Sequence, residues 1–180
     1  PADTAYVVTE LECPGYIVDN AQRIIHLDGG DQAQFVFTNS KLPSLHLYKE
    51  SADGTPMGGV TYRLAKIEDG SRYLDRTTSS TGEICWEGLE PGVYSLIETS
   101  TVSDHLLDTT EYHVELFPGQ DSTVVLQNDK RPNLTVVKRD ADSGEPVADT
   151  VFLVEAADGH RVDEIKTGPA GTAVLENLLP

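Results

Sequence analysis

Three polar residues that can react with one another close three of the short apolar runs in this sequence. Lys49 ends the run LHLYK, Glu98 ends YSLIE and Asn128 ends VVLQN. Side chains alternate between the two faces of a β-strand, so each of these residues shares a face with the apolar residues two and four positions before it. The pattern predicts one amine, one carboxyl group and one carboxamide pointing into the core of one unit.

Such a cluster can do chemistry on itself. Burying an isolated ammonium or carboxylate costs several kcal/mol, and burial favours the neutral forms of both groups. A neutral amine can attack a carboxamide carbonyl while a carboxylic acid polarises that carbonyl and shuttles protons, and ammonia then leaves. The fold would supply the proximity, and the reaction would run once per unit. The alternatives are a buried lysine–glutamate pair capped by the asparagine, or a lysine that reaches the rim of the core.

The same residue types recur along the chain with a period of about 89 residues. LHLYKESADGTP matches LTVVKRDADSGEP, and TGEICWEGLEP matches AGTAVLENLLP. Earlier in the chain, YVVTE matches YSLIE and FVFTN matches VVLQN. Lys138 is therefore a second copy of the strand-closing lysine, and Glu10 and Asn39 are earlier copies of the glutamate and the asparagine.

The phases of these copies divide the chain into three parts. Residues 1–43 form the C-terminal half of a repeat, residues 44–131 form a complete repeat, and residues 132–180 form the N-terminal half of another. The junctions at 41–43 and 130–133 are short and contain proline, which stiffens a linker. We therefore expect neighbouring repeats to stand as a semi-rigid rod.

The elements that must position these residues are β-strands. The runs are short and alternating, with Gly, Pro, Asp and Ser between them, and no window supports a long amphipathic helix. About seven strands in about 89 residues predict an all-β, immunoglobulin-like sandwich of two sheets. The predicted strands of the complete repeat lie near 45–49, 60–66, 83–87, 93–98, 112–116 and 122–128.

Composition excludes several classes of function. The chain of 180 residues carries 13 basic and 30 acidic side chains, and its formal charge of −17 opposes binding to nucleic acid or to anionic membranes. No apolar run approaches the roughly 18 residues that a membrane span needs, and no leader opens the chain, so we expect any signal or anchor to lie outside this fragment.

Other residues that carry chemistry elsewhere show no matching pattern here. Cys13 and Cys85 fall in different repeats, which predicts two free, at least partly buried thiols. The five histidines have no paired metal spacing and are expected at the surface. The motifs of turnover enzymes, such as GxSxG, HExxH and the phosphate loop, do not occur. We therefore predict no cofactor, no metal and no turnover enzyme.

The lysine-closed strand with its DG turn, the segment PGVYSLIET and the segment VVLQNDK together resemble the collagen-adhesin (Cna) B-type repeat. That family includes the SpaA-type pilin repeats and the prealbumin-like repeats, and the likeness covers the entire chain. The resemblance implies a prealbumin-like sandwich with Lys49 as nucleophile, Asn128 as electrophile and Glu98 as the catalytic acid. By the same matching, Glu10 and Asn39 belong to the first partial repeat, and Lys138 belongs to the last.

The resemblance also implies a function. It predicts a stalk or spacer in a Gram-positive adhesin or pilin that is extracellular and anchored to the cell wall. In this family the first and last strands of a repeat run parallel, so a Lys–Asn isopeptide bond between them would carry tension. The alternative is a module whose loops bind a host glycan or a matrix protein; the strand of Trp86, the single tryptophan, suggests packing and favours the stalk.

The predicted partners are neighbouring repeats of the same protein. Because Glu10 and Asn39 lack a lysine, and Lys138 lacks an acid and an amide, head-to-tail association of two chains could join Lys138 to Asn39.

Overall fold

The computed structural model describes residues 4–19, 22–68, 70 and 73–179, and all regular structure in them is β-strand. None of the described residues forms a helix long and apolar enough to cross a membrane. In chain order the strands are β1 (Thr4–Val8), β2 (Tyr16–Ile17), β3 (Arg23–Leu27), β4 (Ser40–Lys41), β5 (Ser44–Ser51), β6 (Thr61–Lys66), β7 (Tyr73–Thr77), β8 (Glu83–Trp86), β9 (Gly92–Ser100), β10 (Glu111–Leu116), β11 (Asp121–Asn128), β12 (Leu134–Val137), β13 (Val151–Glu155), β14 (Arg161–Lys166) and β15 (Thr172–Leu175).

The chain forms two compact units. The first contains Pro1–Thr101 and Leu107–Gln127, and the second contains Val102–Leu106 and Asn128–Pro180. The division into one complete and two partial repeats stays a prediction.

A two-sheet sandwich forms the centre of the first unit. One sheet has the strand order β10-β9-β6-β7 and the other has the order β11-β5-β8. The inner faces supply Leu45, Leu47, Leu64 and Leu96, each fully excluded from solvent. Alternating apolar residues on short strands bury one face of each sheet, and two such faces make one core. The predicted all-β sandwich is confirmed.

Strands β5 and β11 run parallel. The Ser44 backbone N–H donates to the Gln120 carbonyl at 3.2 Å, where both strands begin. Near their ends, Gln127 Nε2 donates to Glu50 Oε2 at 3.3 Å. The first residues of the two strands are adjacent, and so are their last residues. The two strands therefore run in the same direction. The chain therefore enters β5 at one end of the sandwich and leaves β11 at the other.

All six predicted strands form in the sandwich, and a further strand, β7, joins them. It pairs antiparallel with β6 at the edge of the four-stranded sheet. Its sequence YLDRT is largely polar, so hydrophobic alternation does not reveal it. Asp75 on β7 instead accepts two hydrogen bonds, at 2.9 and 2.8 Å, from the Arg63 guanidinium on β6.

In the part of the first unit that precedes β5, β1 pairs with β3 and β2 pairs with β4, both antiparallel. Residues 31–39, which contain the run FVFTN, form no strand although they match the β11 sequence. In the complete repeat β11 is hydrogen-bonded to β5, the lysine-bearing strand, whereas no described strand takes that place beside residues 31–39. Strand structure at this sequence depends on its neighbour.

The second unit repeats part of the sandwich pattern. Strand β12 pairs antiparallel with β15, and β13 pairs antiparallel with β14. The β12–β15 pair corresponds to β5–β8 of the first unit, which is also antiparallel.

Cys13 and Cys85 are both free and half-buried, as predicted. The surface prediction is wrong for one histidine, because His105 is only 5% exposed. A turn carries it inward: its backbone N–H donates to the Val102 carbonyl at 3.1 Å, and its Nδ1 lies 2.9 Å from Asp104 Oδ1. A partner one residue away allows the imidazole to be buried without an unsatisfied polar group.

Candidate crosslinking site

Lys49 is fully buried. It lies on the inner face of β5, two and four residues after Leu47 and Leu45, as the alternation predicts. The backbone of Lys49 is fixed on both sides: its N–H donates to the Gly82 carbonyl at 2.7 Å, and its carbonyl accepts from Met57 N–H at 2.8 Å. The main chain therefore holds the lysine in a single position.

A glycine lies against the lysine backbone in both units. Gly82 has φ +77°, and a Cβ added to it would lie 2.3 Å from the Lys49 carbonyl oxygen. Gly171 has φ +69°, and its Cβ would lie 2.4 Å from the Lys138 carbonyl oxygen. Only glycine fits this conformation and this contact. The glycines of the TGEICW and AGTAVL segments thus serve the approach of a loop to the lysine strand.

The Lys49 ammonium contacts Glu98 across the core. Nζ lies 2.9 Å from Glu98 Oε2, and the two side chains are 0% and 1% exposed. Lys49 comes from the three-stranded sheet and Glu98 from β9 of the four-stranded sheet. The structure thus brings together two of the three residues predicted for the complete repeat.

Tyr62 is a third member of this cluster, and the sequence reasoning missed it. Its hydroxyl donates to Glu98 Oε2 at 2.8 Å, and its ring centroid lies 5.6 Å from Lys49 Nζ. Burial and the adjacent Glu98 charge raise the pKa of Tyr62, so its hydroxyl stays protonated. A sequence signal exists: Tyr62 is in phase with Val60 and Leu64, and an inward tyrosine needs a polar partner.

Asn128 is the last residue of β11 and is 2% exposed. The boundary between the compact units falls between Gln127 and Asn128. Strand β11 lies beside β5 and runs parallel to it, and Gln127 meets Glu50 at 3.3 Å. The asparagine therefore closes the strand that neighbours the lysine strand, as the family resemblance implies.

A second carboxylate, Asp108, influences the cluster from the segment before β10. The Tyr112 hydroxyl donates to Asp108 Oδ2 at 2.7 Å, and the Thr110 N–H donates to Oδ1 at 3.0 Å. Burial acts to raise the pKa of Asp108, but these hydrogen bonds and the Lys49 charge hold it below its ordinary value. The negative charge of Asp108 in turn adds to the raised pKa of Tyr62.

The copies of Lys49, Glu98 and Asn128 elsewhere in the chain differ in their surroundings. Asn39 Nδ2 donates to Glu10 Oε1, and the Asp19 N–H contacts both side chains, at 3.2 Å from Asn39 Oδ1 and 3.3 Å from Glu10 Oε2. The acid and the amide of the first partial repeat are thus already paired. Lys138 follows directly after β12 and is exposed. The alternation of Leu134, Val136 and Lys138 predicts that this lysine also points into a core, and that prediction is wrong, because residues 132–180 contain no copy of the β9 or β11 sequence.

Within the described ranges, no group of three or more His, Cys, Asp or Glu side chains is arranged to hold a metal ion. The polar atoms of the site are amines, carboxylates, amides and a phenol. The Lys49–Glu98 contact suits proton transfer between these two side chains.

Comparison with known proteins identifies the family of the sandwich domain. The sequence profile of SpaA, a prealbumin-like fold domain, matches residues 43–130. Residues 43–130 belong to this family. The SpaA-type domain therefore comprises both sheets of the sandwich and ends two residues beyond Asn128.

A solved structure shares the fold. The Bacillus anthracis TIE protein is 21% identical with a TM-score of 0.55, and the match covers 97% of this chain and 34% of that one. A streptococcal ancillary pilin is 19% identical with a TM-score of 0.48, and the match covers 99% of this chain and 64% of that one. This chain thus spans about one third of the length of the first of these proteins and under two thirds of the length of the second. No curated protein sequence matches it.

Proposed function

We propose that this chain is part of a structural stalk on a bacterial cell surface, and that its SpaA-type domain is locked by an isopeptide bond between Lys49 and Asn128. Glu98 is the catalytic acid in this proposal. The observation that carries it is the 2.9 Å contact between Lys49 Nζ and Glu98 Oε2 in a core that excludes water from both side chains. A structural ion pair gains little from such burial, whereas a proton exchange between the two groups gains from it.

The reaction balances with these three side chains alone. Lys49 Nζ gives a proton to Glu98, which leaves a neutral amine and a carboxylic acid. The amine attacks Asn128 Cγ, a new Nζ–Cγ bond forms, and the old Cγ–Nδ2 bond breaks. Nδ2 leaves as ammonia with its own two hydrogens and one that Glu98 relays from the lysine, and the second lysine proton stays on the Glu98 carboxyl. The buried charges are gone from the product.

Strand direction supports a mechanical role. Strands β5 and β11 are neighbours and run parallel, so the two ends of the domain lie at opposite ends of the sandwich. Pulling on those ends shears the β5–β11 hydrogen bonds. A covalent bond from the end of β5 to the end of β11 would carry that load in their place, and it would also restrict the unfolded chain as a disulfide does.

Intact-mass spectrometry of the purified chain tests the proposal. We expect a mass about 17 Da below that of the sequence, the loss of one ammonia, and a branched peptide joining Lys49 to Asn128 after proteolysis. Glu98→Gln should have the full mass of its sequence. Glu90→Gln is the matched control, because Glu90 is an exposed glutamate that pairs with Lys66, and it should still lose ammonia. If the chain without substitutions has the full mass of its sequence, the crosslink is refuted.

A cavity of about 610 Å³ at the opposite end of β9 bears on the binding-module alternative. Its lining includes Trp86, but the indole is 1% exposed and donates to the Leu74 carbonyl at 3.2 Å. Lys66 Nζ in the same lining pairs with Glu90 at 3.0 Å. These groups are already bonded within the protein, which favours a packing role for them over glycan or matrix binding.

The pairing of Glu10 with Asn39 and the exposure of Lys138 support a second, intermolecular crosslink. In this proposal, Lys138 of one copy reaches Asn39 of another, and Glu10 acts as the acid. Denaturing gels should then resolve a ladder of chains that Lys138→Arg abolishes. Only monomer at high protein concentration would exclude the covalent form of this association.

A further inference from the structure

We infer that Tyr62 is a positioning residue for the crosslinking reaction: its hydroxyl fixes the Glu98 carboxyl so that Oε2 faces the lysine amine. This inference rests on the proposed Lys49–Asn128 bond. It assigns a role in that chemistry to a residue outside the lysine, glutamate and asparagine set.

One carboxylate oxygen carries both contacts. Lys49 Nζ lies 2.9 Å from Glu98 Oε2, and the Tyr62 hydroxyl lies 2.8 Å from the same atom. A carboxyl group can rotate about its terminal torsion, which has a broad, nearly two-fold preference. The tyrosine contact removes that freedom. Oε2 is thereby the oxygen that receives the lysine proton.

The backbone places the hydroxyl there. Tyr62 and Glu98 are direct partners in the β6–β9 ladder, at the point where the register shifts between Thr61 and Tyr62. Residues opposite each other in an antiparallel pair have side chains on the same face, close together. Tyr62 is fully buried, so it meets Glu98 on the inner face of the sheet.

The hydroxyl also keeps its role throughout the reaction. Burial and the Glu98 charge raise the pKa of Tyr62, so it remains a hydrogen-bond donor across the range in which the protein is folded. When the lysine amine turns from Oε2 towards the amide carbon, Oε2 loses one partner. Tyr62 retains its hydrogen bond to that oxygen, so the buried carboxyl is never left without a partner.

The second unit carries a phenylalanine at the position equivalent to Tyr62. The Val60 N–H donates to Thr78 Oγ1 at 3.0 Å, and the Thr150 N–H donates to Thr167 Oγ1 at the same distance. Val60 and Thr150 therefore occupy equivalent positions. Two residues further along, Phe152 stands where the first unit has Tyr62. We expect Tyr62→Phe to fold for that reason.

The test separates folding from crosslinking. Chain that has never folded, made by chemical peptide synthesis and ligation, is refolded from denaturant by dilution. Trp86 fluorescence measures folding, and the intact mass of timed, acid-quenched samples measures ammonia loss. We expect Tyr62→Phe to fold at the normal rate but to crosslink at least about tenfold more slowly. The acid limb of its crosslinking-rate profile should move to higher pH, because losing a donor favours the protonated acid.

The pH profile includes only a few nearby titratable groups. Lys49 and Glu98 react, and Asp108 and Tyr112 act on the cluster through their charges and are unchanged in the variant. Tyr94→Phe is the matched control, because it removes another buried tyrosine hydroxyl that donates to a backbone carbonyl, that of Glu90, at 2.8 Å. Its crosslinking rate and pH profile should equal those of the unmodified chain.

Each outcome decides one of the two proposals. If the chain without substitutions never loses ammonia, the crosslink itself is refuted. If it loses ammonia, and Tyr62→Phe loses ammonia at the same rate with the same pH profile, the crosslink stands and only the role of Tyr62 is refuted. Should Tyr62→Phe not fold, fluorotyrosine at position 62 carries the test: the stronger donor should move the acid limb to lower pH, and an unmoved limb would overturn the inference.

Discussion

The Lys49 ammonium lies 2.9 Å from Glu98 Oε2, with the two side chains 0% and 1% exposed. They are separated by 49 positions in sequence and come from opposite sheets. Two charges in such a place stabilise each other only while both are present.

Lys49→Met should destabilise the domain by about 3–5 kcal/mol, because it leaves the Glu98 charge buried without its cation. Adding Glu98→Gln should restore about 1–3 kcal/mol of stability, since the double variant has no buried charge without a counterion. Neither variant can form the isopeptide bond, so the loss of the crosslink cancels between them. Urea unfolding of both variants measures the difference. A double variant less stable than Lys49→Met would contradict the buried ion pair.

Gly82→Ala should be more damaging than an alanine at another glycine with positive φ. Gly82 and Gly54 have φ +77° and +83°, but only the Cβ at position 82 meets the Lys49 carbonyl oxygen, at 2.3 Å, while position 54 is open. Each substitution should cost about 1 kcal/mol from the backbone conformation. Gly82→Ala should add at least about 1–3 kcal/mol through overpacking. Thermal unfolding of the two variants checks this, and equal costs would disprove the close approach.

Thr78→Val should cost about 1–3 kcal/mol, because it removes a buried hydroxyl with two partners. Thr78 Oγ1 accepts from the Val60 N–H at 3.0 Å and donates to the Met57 carbonyl at 2.8 Å. Thr99→Val is the control, since Thr99 is exposed and its hydroxyl makes a single 3.2 Å bond to the Thr61 carbonyl. Denaturant titration should rank the two variants in this order, and a reversed ranking would show that Thr78 does not tie these loops together.

The acid dependence of stability should involve Asp108. Its pKa is lowered in the folded state by hydrogen bonds from Thr110 and Tyr112, which outweigh the effect of burial. A lowered carboxyl pKa contributes stability above the unfolded value of about 3.9, and this contribution is lost as pH falls through the folded pKa. Tyr112→Phe should therefore cost about 1 kcal/mol at neutral pH, and this cost should shrink in acid.

Melting temperatures of Tyr112→Phe between about pH 3 and about pH 7 measure that change. Tyr94→Phe is the control, because its hydroxyl donates to a backbone carbonyl that does not titrate. A constant difference from the unmodified chain across this range would show that the Tyr112–Asp108 bond has no part in the acid response.

Alternation along single strands was enough to predict much of the site. Lys49, Glu98 and Asn128 were expected on inner faces, and all three are buried. The same local rule failed for β7, whose polar sequence pairs with β6 through backbone hydrogen bonds and an exposed Arg63–Asp75 contact. It also failed for residues 31–39, which alternate but form no strand.

The sequence by itself determined which side chains turn inward and how the pattern repeats, because the two-residue period of a strand is a property of neighbouring residues. Only the tertiary structure decided which inward groups meet. The Lys49–Glu98 contact, the Tyr62 hydrogen bond to the same carboxyl oxygen and the burial of His105 depend on sheet register, on the packing of two sheets or on the path of a loop. These contacts join residues whose positions relative to each other exist only once the chain has folded.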